Sequence, residues 1–372
     1  MIYATTTIVF VLLALALAVV LAMSASPMGE VGPVREPAPV EPAERDPGPR
    51  KAIVGTSIFS IFGEFTTLED RLEELGALVD EMAADARERH GRGPDIVALT
   101  EVSINAGRKG SLVERAVPLE GAVQDYFAAK AREHETHIVV CFNMLEDAER
   151  EIVSNSAVIF DRRGEVAGIY RKVFLTARPG QELPEGGKWH GTRWPVFDLD
   201  FGRVGVQICY DMGFADGVDA LAAQGAELII WPSASPQTMV PSMWARQHEL
   251  YIVSATPRDN ASVFDPLGQV VAQVEPPGQV VTHELDLDFR IVHWQPGLDE
   301  GRPLVERFGE RIGFRYSTRE DYGIFWSNDA SKPIGAMLEE AEIVTDAAQR
   351  RRTRVLRERL VGERGPVGEP AG

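Results

Sequence analysis

Short apolar runs alternate with helical repeats through the middle of this chain. Residues 52 to 59 and residues 95 to 100 are apolar runs of strand length. Between them, residues 68 to 82 repeat leucine, valine and methionine with a helical period, and Thr66 and Glu69 stand before the repeat as a capping box. The pattern predicts a strand, a helix and a second strand.

The same order returns later in the chain. Residues 204 to 208 predict a strand, residues 214 to 222 have helical spacing and end before Gly225, and residues 228 to 231 predict a strand closed by Pro232. Further strands and a hairpin separate the two regions. Two similar halves, each able to supply a sheet with helices on one face, predict an α/β fold.

The N-terminal 50 residues differ from the rest. Residues 8 to 23 form an uninterrupted apolar run, close to the ~20 residues that span a bilayer and also close to a long signal-peptide core. We favour a retained anchor over a cleaved signal because no basic residue precedes the run. Residues 1 to 26 are therefore predicted to attach the protein to a membrane or to export it, which would place the domain that follows outside the cytoplasm. Residues 27 to 50 are rich in proline and glutamate and predict a disordered linker.

Residues 51 to 290 contain the predicted strands and helices and form the expected folded domain, and residues 291 to 372 form a C-terminal extension. No clear period is visible from 290 to 335. Residues 337 to 361 predict a helical tail that becomes basic in the segment RRRTRVLRER. Such a charge run is typical of a solvated helix face or of a subunit contact.

Charge and cysteine content exclude several classes of protein. The formal net charge of −18 argues against a general nucleic-acid binder. Two cysteines, Cys141 and Cys209, are too few for a disulfide framework or a cysteine zinc site. No zinc-hydrolase, P-loop or dinucleotide motif occurs, so the sequence indicates neither a metal nor another cofactor. Cys141 lies in an apolar strand and is predicted to be structural.

Three chemically useful side chains follow apolar strands directly. Glu101 comes after one strand, Lys172 after another and Cys209 after a third. A carboxylate base, an ammonium group and a thiol can together perform nucleophilic acyl transfer without a histidine. Cys209 also lies on a predicted strand-to-helix turn, where backbone N–H groups and the helix dipole lower a thiol pKa. We therefore expect Cys209 to ionise readily.

Three segments of the chain resemble a known family, the nitrilase superfamily of carbon-nitrogen hydrolases. Residues 205 to 234, GVQICYDMGFADGVDALAAQGAELIIWPSA, resemble its nucleophile segment. DIVALTE, ending at Glu101, resembles its first glutamate segment, and IYRKVFL, around Lys172, its lysine segment. The resemblance covers about residues 51 to 290. It implies a four-layer α-β-β-α sandwich of the nitrilase type, here with an N-terminal hydrophobic segment and a C-terminal helical extension.

The resemblance also implies a mechanism. Glu101 would accept the thiol proton, Cys209 would attack the substrate carbon, and Lys172 together with the backbone N–H of Tyr210 would hold the oxyanion. Members of the superfamily often have a second glutamate that orients the lysine. Glu182 is the first candidate for this position in the present chain, and Glu185 is the second.

Substrate recognition departs from the family pattern. Gly213 stands where many relatives have an arginine that can hold a substrate carboxylate, so acidic substrates are less supported. The nucleophile segment is nearest to the amidase-like branches. Four residues are candidates for the walls of the substrate pocket: Tyr210, Trp231, Ser233 and Trp244.

The function implied is thiol-dependent hydrolysis of a small amide or N-carbamoyl compound through a cysteine acyl-enzyme, with release of ammonia. An acyltransferase with the same three residues is one alternative, although such enzymes that resemble this superfamily carry several membrane spans. A non-catalytic nitrilase-like binding module is the other. The resemblance also implies a homo-oligomer.

Overall fold

The computed structural model describes residues 49 to 364, and most of its strands form two six-stranded sheets. The first sheet contains β1 (Lys51–Ser57), β2 (Ile96–Ala98), β3 (His137–Asp147), β4 (Ile152–Phe160), β5 (Val166–Arg171) and β12 (Val280–Asp286). The second contains β6 (Val196–Asp198), β7 (Arg203–Val206), β8 (Leu228–Pro232), β9 (Tyr251–Ala255), β10 (Ser262–Phe264) and β11 (Val270–Gln273).

The two sheets have the same topology. The first has the order β12-β1-β2-β3-β4-β5, and the second, read in the same direction, has the order β6-β7-β8-β9-β10-β11. In each sheet two consecutive pairs are parallel, β1 with β2 and β2 with β3 in the first, β7 with β8 and β8 with β9 in the second. The remaining pairs are antiparallel. The predicted division into two similar halves is therefore confirmed.

Helices cover the outer face of each sheet. The first half contributes α1 (Leu68–His90), α2 (Leu112–Arg115) and α3 (Ala122–His134), and the second contributes α4 (Ala215–Ala223) and α5 (Met239–His248). Alternate residues of the strands face opposite sides, as the period of two requires. In β2, Ile96 and Ala98 pack against the other sheet, whereas Val97 packs against α1 and α3. The predicted four-layer α-β-β-α sandwich is confirmed.

Helix α1 begins one residue later than its sequence pattern predicts. Thr67, in an extended conformation, is the N-cap, and its hydroxyl accepts a hydrogen bond of 3.0 Å from the backbone N–H of Asp70. The predicted cap Thr66 is therefore wrong by one position, because either threonine has the side chain that a cap needs and only the backbone path selects one. Gly91 ends the helix with φ of 77°.

The C-terminal region forms a separate small sheet. Its strands are β13 (Phe289–His293), β14 (Ile312–Ser317) and β15 (Tyr322–Ser327), in the order β13-β15-β14, and its helices are α6 (Arg302–Phe308), α7 (Ile334–Glu340) and α8 (Asp346–Arg364). The predicted helical tail is two helices, interrupted near Glu342, whose φ is 57°. The tail is therefore helical as predicted but divides into two helices, because a residue in the left-handed region follows the first one.

The predicted anchor or signal segment (1 to 26) and almost all of the predicted linker (27 to 50) lie outside the described residues. From residue 49 to residue 364, no helix is both long and apolar enough to cross a membrane. Membrane attachment, export and the oligomeric state stay predictions.

Candidate active site

One polar cavity of 380 Å³ opens between the two large sheets and collects the three predicted residues. Glu101, Lys172 and Cys209 all line it. Glu101 follows β2 and Lys172 follows β5, which run in the same direction because two antiparallel pairings separate β5 from β3. Cys209 follows β7 of the facing sheet. Strand ends of both sheets therefore meet at one edge of the sandwich, where α/β proteins place their sites.

The carboxylate of Glu101 is buried and fully engaged. Its Oε1 accepts hydrogen bonds from Lys172 Nζ at 2.9 Å and from Asn155 Nδ2 at 2.8 Å. Its Oε2 accepts one of 2.7 Å from the backbone N–H of Ala234. Ala234 and Cys209 line the same cavity as Glu101, so this carboxylate and the thiol face a common space.

Lys172 lies between two carboxylates. Its Nζ donates to Glu101 Oε1 and, at 2.7 Å, to Glu185 Oε1, and only 1% of its side chain is exposed. Burial alone would lower the pKa of this ammonium group, but Glu101 and its other negative neighbours raise it well above the ordinary value. Lys172 is therefore a permanent cation in the cavity.

Of the two candidates for the second glutamate, Glu185 contacts Lys172, whereas Glu182, the first candidate from the sequence, does not. Glu185 contacts Lys172 and also accepts 2.9 Å from Lys188 Nζ and 3.1 Å from the backbone N–H of Thr176. Glu182 is exposed and contacts none of these groups among the described residues. The difference arises because Glu185 has φ of 46° on a short helical turn, which aims its carboxylate inward. The sequence of this loop has no hydrophobic period, so it could not predict the turn.

Exchange of Glu185 for glutamine is expected to destabilise the protein, whereas the same exchange at Glu182 is not. Burial alone would raise the pKa of Glu185, but Lys172 and Lys188 lower it to about 2. A carboxylate with a lowered folded-state pKa stabilises the fold above its unfolded pKa, and this contribution is lost as the pH falls toward the folded value. We expect Glu185→Gln to lose about 2 to 3 kcal/mol at pH 7.

Urea unfolding at pH 7 and at pH 3 measures this effect, with Glu182→Gln as the matched control. The difference between the wild type and Glu185→Gln should shrink at pH 3, below the ordinary carboxyl pKa. Equal losses for the two variants, or a Glu185→Gln deficit that does not depend on pH, would show that Glu185 does not hold the lysine pair by its charge.

Cys209 sits on a strained turn. The residue has φ of 45° and begins a short 3-10 turn from Cys209 to Gly213. Because the first hydrogen bond of this turn is donated by Asp211 to the carbonyl of Ile208, the N–H of Tyr210 has no partner within the turn. The Trp231 indole N–H holds the Cys209 carbonyl at 3.0 Å. A non-glycine residue in this conformation is unfavourable, and such strain is typical of functional sites.

The thiol of Cys209 does not ionise readily, contrary to the expectation from the sequence. Burial is the main cause, and with the negative charge of Glu101 it raises the pKa of the thiol to about 12, although the positive charge of Lys172 acts in the other direction. The expectation was wrong because helix α4 begins only at Ala215. The facing sheet supplies the negative charge, which the local sequence does not contain.

Asp211 connects the nucleophile turn to the lysine segment, and the sequence reading missed it. Its buried carboxylate accepts 2.7 Å from Tyr170 Oη, 2.7 Å from the Phe174 N–H and 3.0 Å from the Ile208 N–H. Burial, as the largest cause, raises its pKa to about 6. Tyr170 and Phe174 flank Lys172, so Asp211 fixes the two strand ends relative to each other. The sequence contained one indication of this role, namely an acidic residue two positions after the cysteine.

Asn155 is the other residue that the sequence reading missed. It lies on β4, is 1% exposed, and donates from Nδ2 to Glu101 and, at 3.4 Å, to Glu185 Oε2. Its Oδ1 accepts from the Cys141 thiol at 3.6 Å. A buried polar residue in an apolar strand must have hydrogen-bond partners. The asparagine within SNSAVIF was therefore the available signal, and it donates to both glutamates that contact Lys172.

Most of the predicted pocket walls lie elsewhere. Trp231 and Trp244 are buried in the core between the second sheet and its helices, because residue alternation turns Trp231 to the helical side. The Tyr210 ring is 46% exposed and packs edge-on against Phe214 rather than lining the cavity. Tyr210, Trp231 and Trp244 were predicted to form the wall of the substrate pocket, but none of their side chains lines the cavity. Ser233 is buried, its hydroxyl donates to the Ser235 carbonyl at 2.7 Å, and it does not line the cavity either.

The cavity wall instead consists mostly of polar and charged side chains. In addition to the residues already described, it includes Val102, Arg115, Asn143, Thr176, Arg178, Gln181, Lys188, Ala234 and Ser235. A carboxylate cluster elsewhere, Asp80 with Glu133 and His134, has Lys130 Nζ bound to both acids, at 2.7 and 3.0 Å. That ammonium group already supplies the positive charge of the cluster.

This four-layer fold with a thiol, a carboxylate and a lysine in one buried pocket defines the class of protein. A sequence profile of the carbon-nitrogen hydrolase family matches residues 52 to 291, more than half of the chain. The chain belongs to this family and is a carbon-nitrogen hydrolase related to amidases. The resemblance to the nitrilase superfamily is confirmed.

Known proteins similar to this chain include amidases. The omega-amidase NIT2 of Homo sapiens is 27% identical over 222 residues, which cover 54% of this chain and 80% of that protein. The crystal structure of Saccharomyces cerevisiae Nit3, a member of branch 10 of the nitrilase superfamily, matches with a TM-score of 0.53 at 21% identity and covers 63% of this chain and 90% of that one. An amidase from Nesterenkonia sp. matches with a TM-score of 0.52 at 20% identity, covering 63% and 90%. At these identities the two structures support the fold.

Proposed function

We propose that this protein hydrolyses small amides or N-carbamoyl compounds through an acyl-enzyme on Cys209 and releases ammonia. The observation that carries the proposal is the single cavity lined by Glu101, Lys172 and Cys209, in which Lys172 Nζ donates to the carboxylate of Glu101 at 2.9 Å. Base, nucleophile and cation are thus assembled before any substrate enters.

The first half-reaction follows from the protonation states. Because the thiol pKa is raised to about 12, Cys209 is protonated at neutral pH and must lose its proton during the attack. Glu101 accepts this proton while the sulfur forms a bond to the carbonyl carbon. The carbonyl electrons move onto oxygen, and the Lys172 ammonium group and the N–H of Tyr210 stabilise that negative charge.

The second half-reaction returns every group to its starting state. The oxyanion collapses, the C–N bond breaks, and Glu101 gives its proton to the leaving nitrogen, so that ammonia departs and a thioester remains on Cys209. A water molecule then loses a proton to Glu101 and attacks the thioester carbon. Collapse of this second oxyanion releases the acid, and the proton from Glu101 returns to the sulfur.

Amides and N-carbamoyl compounds fit the site better than a macromolecule. The cavity is small, at 380 Å³, and its wall carries few apolar groups. The relatives named above include an omega-amidase and an amidase, which supports amide over nitrile.

Ammonia release from a panel of small amides, N-carbamoyl compounds and nitriles tests the proposal with the full-length protein. We expect release from amides or N-carbamoyl compounds, and intact-protein mass spectrometry of rapidly quenched samples should show an acyl group on Cys209. Release from nitriles alone would contradict the proposed substrate class. No release from any compound, together with acyl transfer from an ester donor to an added amine, would support an acyltransferase instead.

A further inference from the structure

A groove of about 600 Å³, which we call the α1–α3 groove, lies between α1 and α3 on the outer surface of the protein. Three partly or fully buried apolar side chains form its floor: Leu68, Leu72 and Tyr126. Three exposed carboxylates form its rim: Glu69, Glu73 and Asp125. No basic side chain from residue 49 to residue 364 forms an ion pair with any of these carboxylates. The groove therefore fits a partner that is apolar along one line and positively charged beside it.

Helix α8 projects from the small C-terminal sheet. It is attached at its start, where the buried Asp346 pairs with Arg350 at 2.5 Å and accepts a hydrogen bond of 3.5 Å from the Tyr322 hydroxyl. From residue 347 to residue 364 every side chain is exposed, and beyond Arg354 the helix forms no hydrogen bond or ion pair with another element of the described chain. A helical segment of about ten residues that contacts nothing is only marginally stable in water. A surface that packs against this end of α8 would stabilise it.

The surface of α8 is complementary to the α1–α3 groove. Leu356 and Leu360 lie one turn apart on the same face of the helix, and each is 36% exposed. Four arginines flank these leucines, two on each side: Arg352 and Arg359, and Arg357 and Arg364. Among these four, only Arg359 has an acidic partner in the described residues, Glu363 at 3.9 Å. The helix carries seven arginines and three acidic residues in a chain whose formal net charge is −18, so it attracts acidic surfaces of the same protein.

We propose that α8 of one copy of the protein docks in the α1–α3 groove of a second copy. Leu356 and Leu360 pack on the apolar floor, and the flanking arginines pair with the carboxylates of the rim, as an amphipathic helix binds a groove through anchors one turn apart. No residue of α8 lines the groove of its own copy in the described structure. Because helix and groove are different surfaces, two copies exchange the contact or several copies repeat it around a ring. The contact is independent of the proposed amide hydrolysis.

A second copy explains the surface of α8 better than an anionic membrane does. Membrane-bound amphipathic helices bury a broad apolar face in the lipid. The apolar face of α8 is a narrow ridge of Leu356 and Leu360 with arginines close on both sides, and Val355 and Val361 lie on other faces of the helix. A narrow ridge fits a groove between two helices, and the acidic rim supplies a partner for the arginines on each side of it.

Charge reversal of the two surfaces tests the contact in the full-length protein. Sedimentation velocity over a range of protein concentrations, at low salt and in a non-ionic detergent, measures the Kd of self-association. Arg352→Glu with Arg357→Glu makes the flanks of α8 acidic, and Glu69→Arg with Glu73→Arg makes the rim of the groove basic. Each double variant alone opposes like charges, so we expect its Kd to rise by about 10- to 100-fold. An equimolar mixture of the two double variants should restore most of the affinity, because opposite charges then meet.

Arg351→Glu with Arg354→Glu is the matched control, because both arginines lie on the side of α8 away from the leucine ridge and the net charge changes equally. Its Kd should stay near that of the wild type. A monomeric wild type, an unchanged Kd in either reversal, or a mixture that does not associate would overturn the proposal. A monomeric wild type that binds vesicles of phosphatidylcholine and phosphatidylserine, and loses this binding in Arg352→Glu with Arg357→Glu, would identify α8 as a membrane-binding helix instead.

Chemical cross-linking locates the contact whatever the total size of the assembly. Leu360→Cys on one copy and Leu68→Cys on another place new thiols on the ridge and in the groove, and a short bismaleimide can join them. We expect a covalent pair from the mixture of the two variants and not from either variant alone. Products through Cys141 or Cys209 would appear in the single variants as well. A mixture that yields no more product than the single variants would overturn the placement of α8 in the groove.

Discussion

Replacement of Cys209 by alanine should remove essentially all ammonia release, a fall in kcat of about 10⁴-fold or more, the order found when the nucleophile of a catalytic triad is deleted. The reason is chemical, because no other described side chain in the cavity can form the acyl intermediate: its wall offers carboxylates, amides, cations and weak hydroxyl groups. The measurement is initial-rate ammonia release with the best amide of the panel.

Cys141→Ala is the matched control for this variant. Cys141 is fully buried on β3, lies outside the cavity wall, and burial as the largest cause raises the pKa of its thiol well above the ordinary value. We expect it to retain activity within about tenfold, with some loss of stability from the small void. Residual activity of Cys209→Ala above a few per cent, in a protein whose urea unfolding matches the wild type, would exclude the thiol as nucleophile.

Exchange of Glu101 for glutamine should reduce kcat/KM by about 10² to 10⁴-fold, because a general base and acid is lost. The amide keeps the size of the carboxylate but can no longer accept the thiol proton. The same variant should also change the pKa of the Cys209 thiol. Because the charge of Glu101 contributes to the raised pKa of Cys209, its removal should lower that pKa below about 12. The protein would thus ionise its thiol more easily while it reacts more slowly.

The thiolate absorbance near 240 nm, followed against pH in the wild type and in Glu101→Gln, gives the thiol pKa directly, and Cys209→Ala supplies the background. A purely structural defect would lower the activity without a downward shift of the titration. Activity within tenfold of the wild type, or an unchanged thiol pKa, would therefore remove Glu101 from the proposed role. Glu182→Gln, on the exposed part of the loop, controls for the loss of one carboxylate and should behave as the wild type.

The three main residues of the site could be predicted because each follows an apolar strand directly. The period of two in a strand and the short loop behind it leave Glu101, Lys172 and Cys209 little freedom of position. The positions of Glu185 and Asn155 depend on features that a hydrophobic pattern does not contain. Glu185 points inward because its backbone is left-handed in an irregular loop, and Asn155 is placed by its hydrogen bonds to the two glutamates.

The sequence by itself determined the elements, their order and the polar residues at the strand ends, because hydrophobic periodicity and turn chemistry act over a few residues. Only the tertiary structure decided which groups share a cavity and what charge each one carries. The Cys209 thiol illustrates this division. Its turn favours ionisation, yet burial and Glu101 on the facing sheet prevail, because burial reduces solvent screening and lets charges remote in the chain interact.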